Sequence, residues 1–274
     1  MNKMLKRYDP QNPKMIRSAV CFTDILGFSQ MVLDANQNGT GDQLLQHLHK
    51  ILTQQYNNLK PGEDYVGIFK AFTDNIVIGL PIYEDGESQL GGIFLDFASF
   101  QLELTLNGFF IRGGIAIGDY YGDDEFAYGP SLIEAHYLED KLAKFPRIIL
   151  SENTVHMVKE HIKNYAEPYW APQSRDILQD CTNQKWFINY LEAVMFDVHA
   201  TGDYQVAIHQ LHKHKKEIET NLIKYNGNTK VHPKYVWAAE YHNYFCSENI
   251  PQQFLNQSQL IITHQTYGSF SKVI

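Results

Sequence analysis

Residues 17–31 read RSAVCFTDILGFSQM. Arg17 to Asp24 is a short apolar run ended by Leu26-Gly27, the pattern of a buried strand that stops at a turn. An aspartate at a strand end, followed by a glycine turn and a helix, can hold a metal beside backbone amides that cradle phosphate. Asp24 stands at that strand end, and Gly27 and Phe28 open the turn.

The rest of the chain divides by turn and cap signals. Gly41 to Leu59 carries Leu44, Leu45, Leu48, Ile51 and Leu52, the stripe of an amphipathic helix. Tyr65 to Phe72 and Asn75 to Leu80 are β-branched and aromatic runs around Thr73-Asp74, which predicts a hairpin. Ser88 to Leu106 returns to helical spacing, Phe109 to Ile117 (FFIRGGIAI) reads as a strand, and Tyr120 to Tyr128 folds back around Gly122-Asp123. Pro130 starts a helix reaching about Ala143; Ile148 to Leu150 is a short strand, and Ser151 caps a helix to Ile162. The order βαββαβ, with a further αβα, is the ferredoxin-like arrangement: an α+β fold with an antiparallel sheet and helices packed on one face. Beyond it we expect a strand pair over Lys185 to Phe196 and helices over Tyr204 to Tyr225 and Lys234 to Phe245, joined by Asn226-Gly227-Asn228. The expected division is an N-terminal extension (1–14), a core domain (15–198) and a helical C-terminal region (199–274).

Composition bounds the function. With 274 residues, 44% hydrophobic and 20% charged, the chain is of ordinary globular type and long enough to bury a core without disulfides or structural zinc. Twenty-three basic against 31 acidic residues give −8, against a role in gripping nucleic acid. Cys21, Cys181 and Cys246 are odd in number and form no CxxC pair, which suggests a reducing, cytoplasmic setting. No apolar run approaches the ~20 residues of a membrane span, so no membrane partner is expected.

Asp74, at the tip of the first hairpin, is the natural partner of Asp24, because in this fold the two strands are neighbours. Converging carboxylates suit a pair of Mg²⁺ or Mn²⁺ ions, which would lower the pKa of an attacking hydroxyl and neutralise a leaving pyrophosphate. Taken singly, an aspartate placed as Asp24 is more often a helix cap and one placed as Asp74 a turn residue.

These residues carry a resemblance. FTDILGFSQM resembles the opening motif of class III nucleotidyl cyclases, and FKAFTDNIVIG resembles their Lys-x-x-Gly-Asp hairpin, with Thr73 in place of glycine. IRGGIAIGDYY, FAYGPSLIEAHYLE and PRIILSENTVHMV are similar to the later strand, helix and closing segments, so the resemblance covers about residues 17–162. It implies a palm-type cyclase core. It also implies a two-metal, in-line conversion of a nucleoside triphosphate to a 3′,5′-cyclic nucleotide and pyrophosphate. Asp24 and Asp74 would be metal ligands assisted by the Ile25 carbonyl, and amides near Gly27 and Phe28 would face the triphosphate. Lys70 matches the base-reading lysine, and the second base-reading position falls on Phe126. A homodimer is implied, with each site shared between protomers.

Two departures stand out. Counted from Gly129, the ribose-orienting asparagine of the family falls on Ile133, and the arginine that stabilises the transition state falls on Tyr137. Loss of such a cation costs about 10³–10⁵ in rate, or about 4–7 kcal/mol. Lys141, at i+8 from Ile133 on the same helix, and Arg112 are the candidate replacements; a solvated surface lysine is the plainer reading of Lys141. Phe126 would shrink a purine pocket, which fits bacterial relatives that make cyclic UMP or cyclic CMP as an antiphage signal, or it packs under its hairpin. The stretch YGDDEFA (121–127) differs at one position from a diguanylate cyclase motif, but it lies about a hundred positions after Asp24, on the wrong hairpin, and reads as a turn. His209, His212 and His214 read as a solvated basic face, whereas Trp237, Tyr241, Tyr244 and Phe245 form a stripe facing a core or partner. A cyclase-shaped binding module without turnover is the competing reading.

Overall fold

A computed structural model describes residues 8–59 and 67–273. Part of the expected N-terminal extension (1–7) and the start of the expected hairpin strand (65–66) lie outside the described residues. At the centre runs β1 (Ile16–Ile25), an apolar strand flanked on both sides. After it come α1 (Phe28–Gln37), α2 (Gly41–Leu59), β2 (Ile68–Phe72), β3 (Asn75–Pro81), α3 (Glu87–Leu106) and β4 (Ile111–Gly122). β1 pairs antiparallel with β3 and with β4, and β2 pairs antiparallel with β3. The order β2-β3-β1-β4 is that of the ferredoxin-like sheet.

The strand alternation sorts β1 between two layers. Ala19, Cys21 and Ile25 join the large core formed with Leu48 and Ile51 of α2 and Phe94 and Phe97 of α3. Val20 and, partly, Phe22 face a smaller cluster with Leu132 and Ala135 of α4 (Pro130–Tyr137), which lies across β1 and β4 on the opposite face. Gly114 permits that approach: a Cβ there would stand 2.4 Å from Leu138 Cβ and 2.6 Å from the Ala135 carbonyl oxygen. Gly114→Ala is therefore expected to cost about 1–3 kcal/mol of stability, read from the urea midpoint.

The tip of β4 folds back on β5 (Ala127–Tyr128), and β4 continues the sheet through a parallel pairing with β6 (Ile148–Leu150). After α5 (Glu152–Ile162), capped by the Ser151 hydroxyl, and the short α6 (Gln173–Asp176) come β7 (Ile177–Asp180) and β8 (Lys185–Ile188). This hairpin corrects the expected strand pair over Lys185 to Phe196: its first strand lies earlier, and Tyr190–Met195 forms a 3-10 turn. An apolar run such as YLEAVM has no period that separates strand from buried helix.

Next come α7 (Phe196–Thr201), α8 (Gln205–Lys224), α9 (His232–Asn249), α10 (Gln252–Ser258) and β9 (Phe270–Lys272), which pairs with β7. Leu211, Ile218, Tyr235, Trp237 and Tyr241 belong to the same large core as β1 and α3. The aromatic stripe of α9 faces inward, with Trp237 ringed by Phe145, Phe187 and Tyr241. Arg147, 1% exposed, forms an ion pair with Asp180, which also accepts a hydrogen bond from the Trp237 indole N–H. The basic-face reading fails at His214: it is fully buried, 2.8 Å from the Tyr190 hydroxyl and 2.9 Å from His242. Burial holds both imidazoles below the usual histidine range, that of His242 to about 4. Among the described residues no helix is long and apolar enough to cross a membrane.

Candidate functional site

The carboxyl end of β1 is where the charged groups gather. Cross-strand register aligns Phe72, Asn75, Asp24 and Arg112 across four strands, so by alternation Asp24 and Arg112 point to the α4 face. Burial outweighs the pull of Arg112 and pushes Asp24 up to about 6, with Asp74 adding to the rise from within hydrogen-bonding range. Asp24 and Asp74 are thus brought together, as their strand positions require.

Asp74 is aimed by its hairpin. A two-residue turn with a left-handed first position normally takes glycine there, yet Thr73 occupies it with φ 56°. A β-branched residue in that region is strained, at a cost on the order of 1–3 kcal/mol. Its hydroxyl lies 2.6 Å from the Phe72 carbonyl oxygen and 2.8 Å from Asp74 Oδ1, which fixes the carboxylate's direction. On the other side of Asp24, Gly27 adopts φ 75° as the N-cap of α1, with nothing within 4 Å of the place a Cβ would fill. The N-terminus of a ten-residue helix, with Gly27 exposed, thus follows directly on the strand end that carries Asp24.

Arg112 ties the cluster together. Its Nε donates to Asp24 Oδ2 at 3.3 Å, and Nη2 stands 2.7 Å from Glu139 Oε1, an ion pair lying off the hydrogen-bond line. Glu139 sits in a π-helical turn, Leu138–Leu142, that ends α4; burial lifts it to about 7 against the pull of Arg112. Glu139 closes the FAYGPSLIEAHYLE segment matched above, but nothing in the sequence marks it as a member of the charged cluster. A second unsought group is Lys234, in the first turn of α9. It is half-buried, feels both Arg112 and Asp24, and is held below the usual lysine range by its burial first and by Arg112 second. It makes no ion pair among the described residues, and its neighbour Tyr235 packs edge-on against Phe110 at 5.1 Å.

The remaining candidates distribute as follows. Lys141 is 60% exposed and paired with Asp140, the plainer of its two readings. Ile133 and Tyr137 are exposed on α4, 71% and 55%. Lys70 is half-buried on β2, aligned with Val77 and Phe22 on the same face as Asp24. Two strand spacings and one pleat repeat put it about 12 Å from Asp24, backbone to backbone. Lys70 acts on Asp123, whose carboxylate accepts the Phe126 N–H at 2.6 Å and the Tyr121 hydroxyl at 2.5 Å. The Gly-Asp-Asp stretch is therefore a side-chain-capped turn, and Lys70 and Phe126 flank the same carboxylate. Phe126 does not pack under its hairpin: it is 56% exposed and stacks on Tyr128.

Among the described residues no group of three or more His, Cys, Asp or Glu side chains is arranged to hold a metal. Asp24 and Asp74 form a two-carboxylate set of hard oxygen donors. That is the usual protein contribution to a magnesium site whose other ligands are water and substrate phosphate, and to that extent the residues fit.

No protein-family description matches the sequence. No curated protein matches it either. Among solved structures, a class III adenylyl cyclase-like ATP-binding protein from Pseudomonas aeruginosa is similar at 15% identity and a TM-score of 0.40. The match covers 52% of this chain and 35% of that one, so this chain spans about a third of its length.

Proposed function

We propose that this chain is a nucleotidyl cyclase that converts a nucleoside triphosphate to its 3′,5′-cyclic form. The observation that supports it is the meeting of Asp24 and Asp74 at the strand end that runs through Gly27 and Phe28 into α1. In this reading the 3′-oxygen forms a bond to the α-phosphorus, the α-phosphorus–oxygen bond to pyrophosphate breaks, and the 3′-hydroxyl proton is released. Asp24 and Asp74, with the Ile25 carbonyl, would hold two Mg²⁺ or Mn²⁺ ions, whose part is Lewis acidity toward the attacking hydroxyl and the departing phosphates. The α1 amides receive phosphate oxygens at the positive end of the helix. Arg112 and Lys234 supply positive charge at the reacting phosphorus, in place of the cation missing at Tyr137.

A second copy completes the site in this proposal. Phe72, Phe126, Tyr128, Ile133 and Tyr137 are all more than half exposed, an amount of apolar surface that suits an interface. Lys70 and Phe126 of one protomer would read the base held against the carboxylates of the other, which accounts for the distance between Lys70 and Asp24 within one chain. The second reading, a nucleotide-binding module without turnover, is favoured by one observation: Arg112 already engages Asp24.

The test is incubation of the protein with Mn²⁺ and each of ATP, GTP, CTP and UTP, with mass spectrometry for cyclic product. A cyclic nucleotide establishes turnover, and its base reports on Phe126: cyclic UMP or CMP supports the narrowed pocket, whereas cyclic AMP removes that argument. No product from folded, dimeric protein moves the assignment to the binding module. Arg112→Ala is expected to lower turnover by about 10² or more, Lys234→Met by about tenfold, and Lys141→Ala to leave it unchanged. Full activity in both of the first two would remove their assigned role.

A further inference from the structure

A cavity of about 480 Å³ opens between α3, α6, the 3-10 turn and α7. The volume is in the range of small-ligand pockets. Its floor is the glycine pair of α3. Gly91 lies close to Pro172, 3.2 Å from where its Cβ would stand, while Gly92 faces empty space. Leu95, Pro172 and Phe196 make the walls apolar. Into this surround the chain places Asp176 and Glu192.

The two carboxylates are not equivalent. Glu192 is met by His199 Nε2 at 2.8 Å. Asp176 is 6% exposed and lines the cavity, yet its carboxylate makes no hydrogen bond or ion pair among the described residues. Buried carboxylates are normally paired, because desolvation without a partner is costly. The charged groups around it are Arg175 beside it on α6, Glu192 of the 3-10 turn, Glu87 at the start of α3 and His199 of α7. Of these, Arg175 pulls on Asp176 but is exposed and makes no hydrogen bond or ion pair with it, and His199 is taken up by Glu192, so the Asp176 carboxylate stays unpaired. Burial pushes Asp176 up to about 7 against the pull of Arg175, with Glu192 adding to the rise.

We propose that this cavity is a binding site for a small organic cation, an amidinium, guanidinium or amine on a flat apolar body, with Asp176 as its counter-ion. The N–H donors of such a group satisfy Asp176, and the bare surface at Gly92 accepts the flat body against Phe196 and Leu95. The site is separate from the Asp24–Asp74 cluster, and the proposal stands whether or not the chain is a cyclase.

The probe is benzamidine, titrated into the intact protein by calorimetry, with neutral benzamide as the shape-matched control. Benzamidine is expected to bind with a Kd at or below about 1 mM, within reach for nine heavy atoms, and benzamide at least tenfold more weakly. Asp176→Asn keeps the shape and removes a charge buried without a partner, so it folds, and it is expected to weaken benzamidine at least tenfold. Gly92→Leu, at a helical position with free space, fills the floor and is expected to do the same. Absence of benzamidine binding at about 10 mM, equal binding of benzamide, or unchanged affinity in both variants overturns the proposal.

Discussion

Asp74→Ala is expected to reduce cyclic-nucleotide formation at least ~10³-fold, to background, while leaving the fold intact. Asp74 is half-buried at a hairpin tip, and its side chain meets Thr73, Asn75 and Asp24, so its loss opens no cavity and strands no distant partner. Removing one of two carboxylates that share a divalent cation takes away charge and geometry together, and Arg112 and Lys234 would then crowd Asp24 with unbalanced positive charge. Circular dichroism and the urea midpoint should match the parent protein. Activity within tenfold of the parent, in a variant so checked, would remove Asp74 from the site and with it the argument for a metal pair. Asp24→Ala should be equally inactive, but it also leaves Arg112 with Glu139 alone, so Asp74 is the cleaner test.

Arg147→Ala should produce the largest loss of stability of any single substitution outside the site, about 3–5 kcal/mol. The guanidinium is 1% exposed, and it meets Asp180, Asn183 and the faces of Phe145, Phe187 and Trp237 at 5.2–5.4 Å. Truncation leaves Asp180, equally buried, without its counter-charge and empties a space between β6, β8 and α9. For a chain of this length that corresponds to a melting temperature lower by about 10 °C. Arg147→Met paired with Asp180→Leu should recover only part of the loss, because the pair removes the orphaned charge but leaves the Trp237 indole N–H and the Thr182 N–H without their acceptor. A single variant within 1 kcal/mol of the parent, as an order of magnitude the worth of an exposed pair, would show that water reaches Asp180.

The core was readable where periodicity is strong. β1, the β2–β3 hairpin, α3 and β4 fall where their apolar runs and turn residues put them, and Asp24 and Asp74 are found from position on their strands. Lys234 was invisible because nothing local in the first turn of α9 marks a lysine that folds against a strand two hundred residues earlier. Glu139 ends a segment matched to the family, but its turn toward Arg112 was not legible because a π turn cannot be read from a 3.6-residue period. His214 was misread because the exposed Lys213 and Lys216 beside it mask a position that turns inward with Leu211. Thr73 occupies a glycine's place, and only the backbone angle shows that the substitution keeps the turn and adds a hydroxyl to it.

The docking of α9 has a consequence for descent. Its first turn carries Lys234 to the Asp24 cluster and Tyr235 to Phe110, while its middle carries Trp237 to Asp180. A recombination event that joined the first 162 residues to a foreign carboxyl-terminal segment would strip the Asp24 cluster of a cation and uncover Phe110 in one stroke. The length from β1 through α9 therefore packs as one unit, and a graft at residue 162 would have to supply both a cation and an aromatic lid of its own.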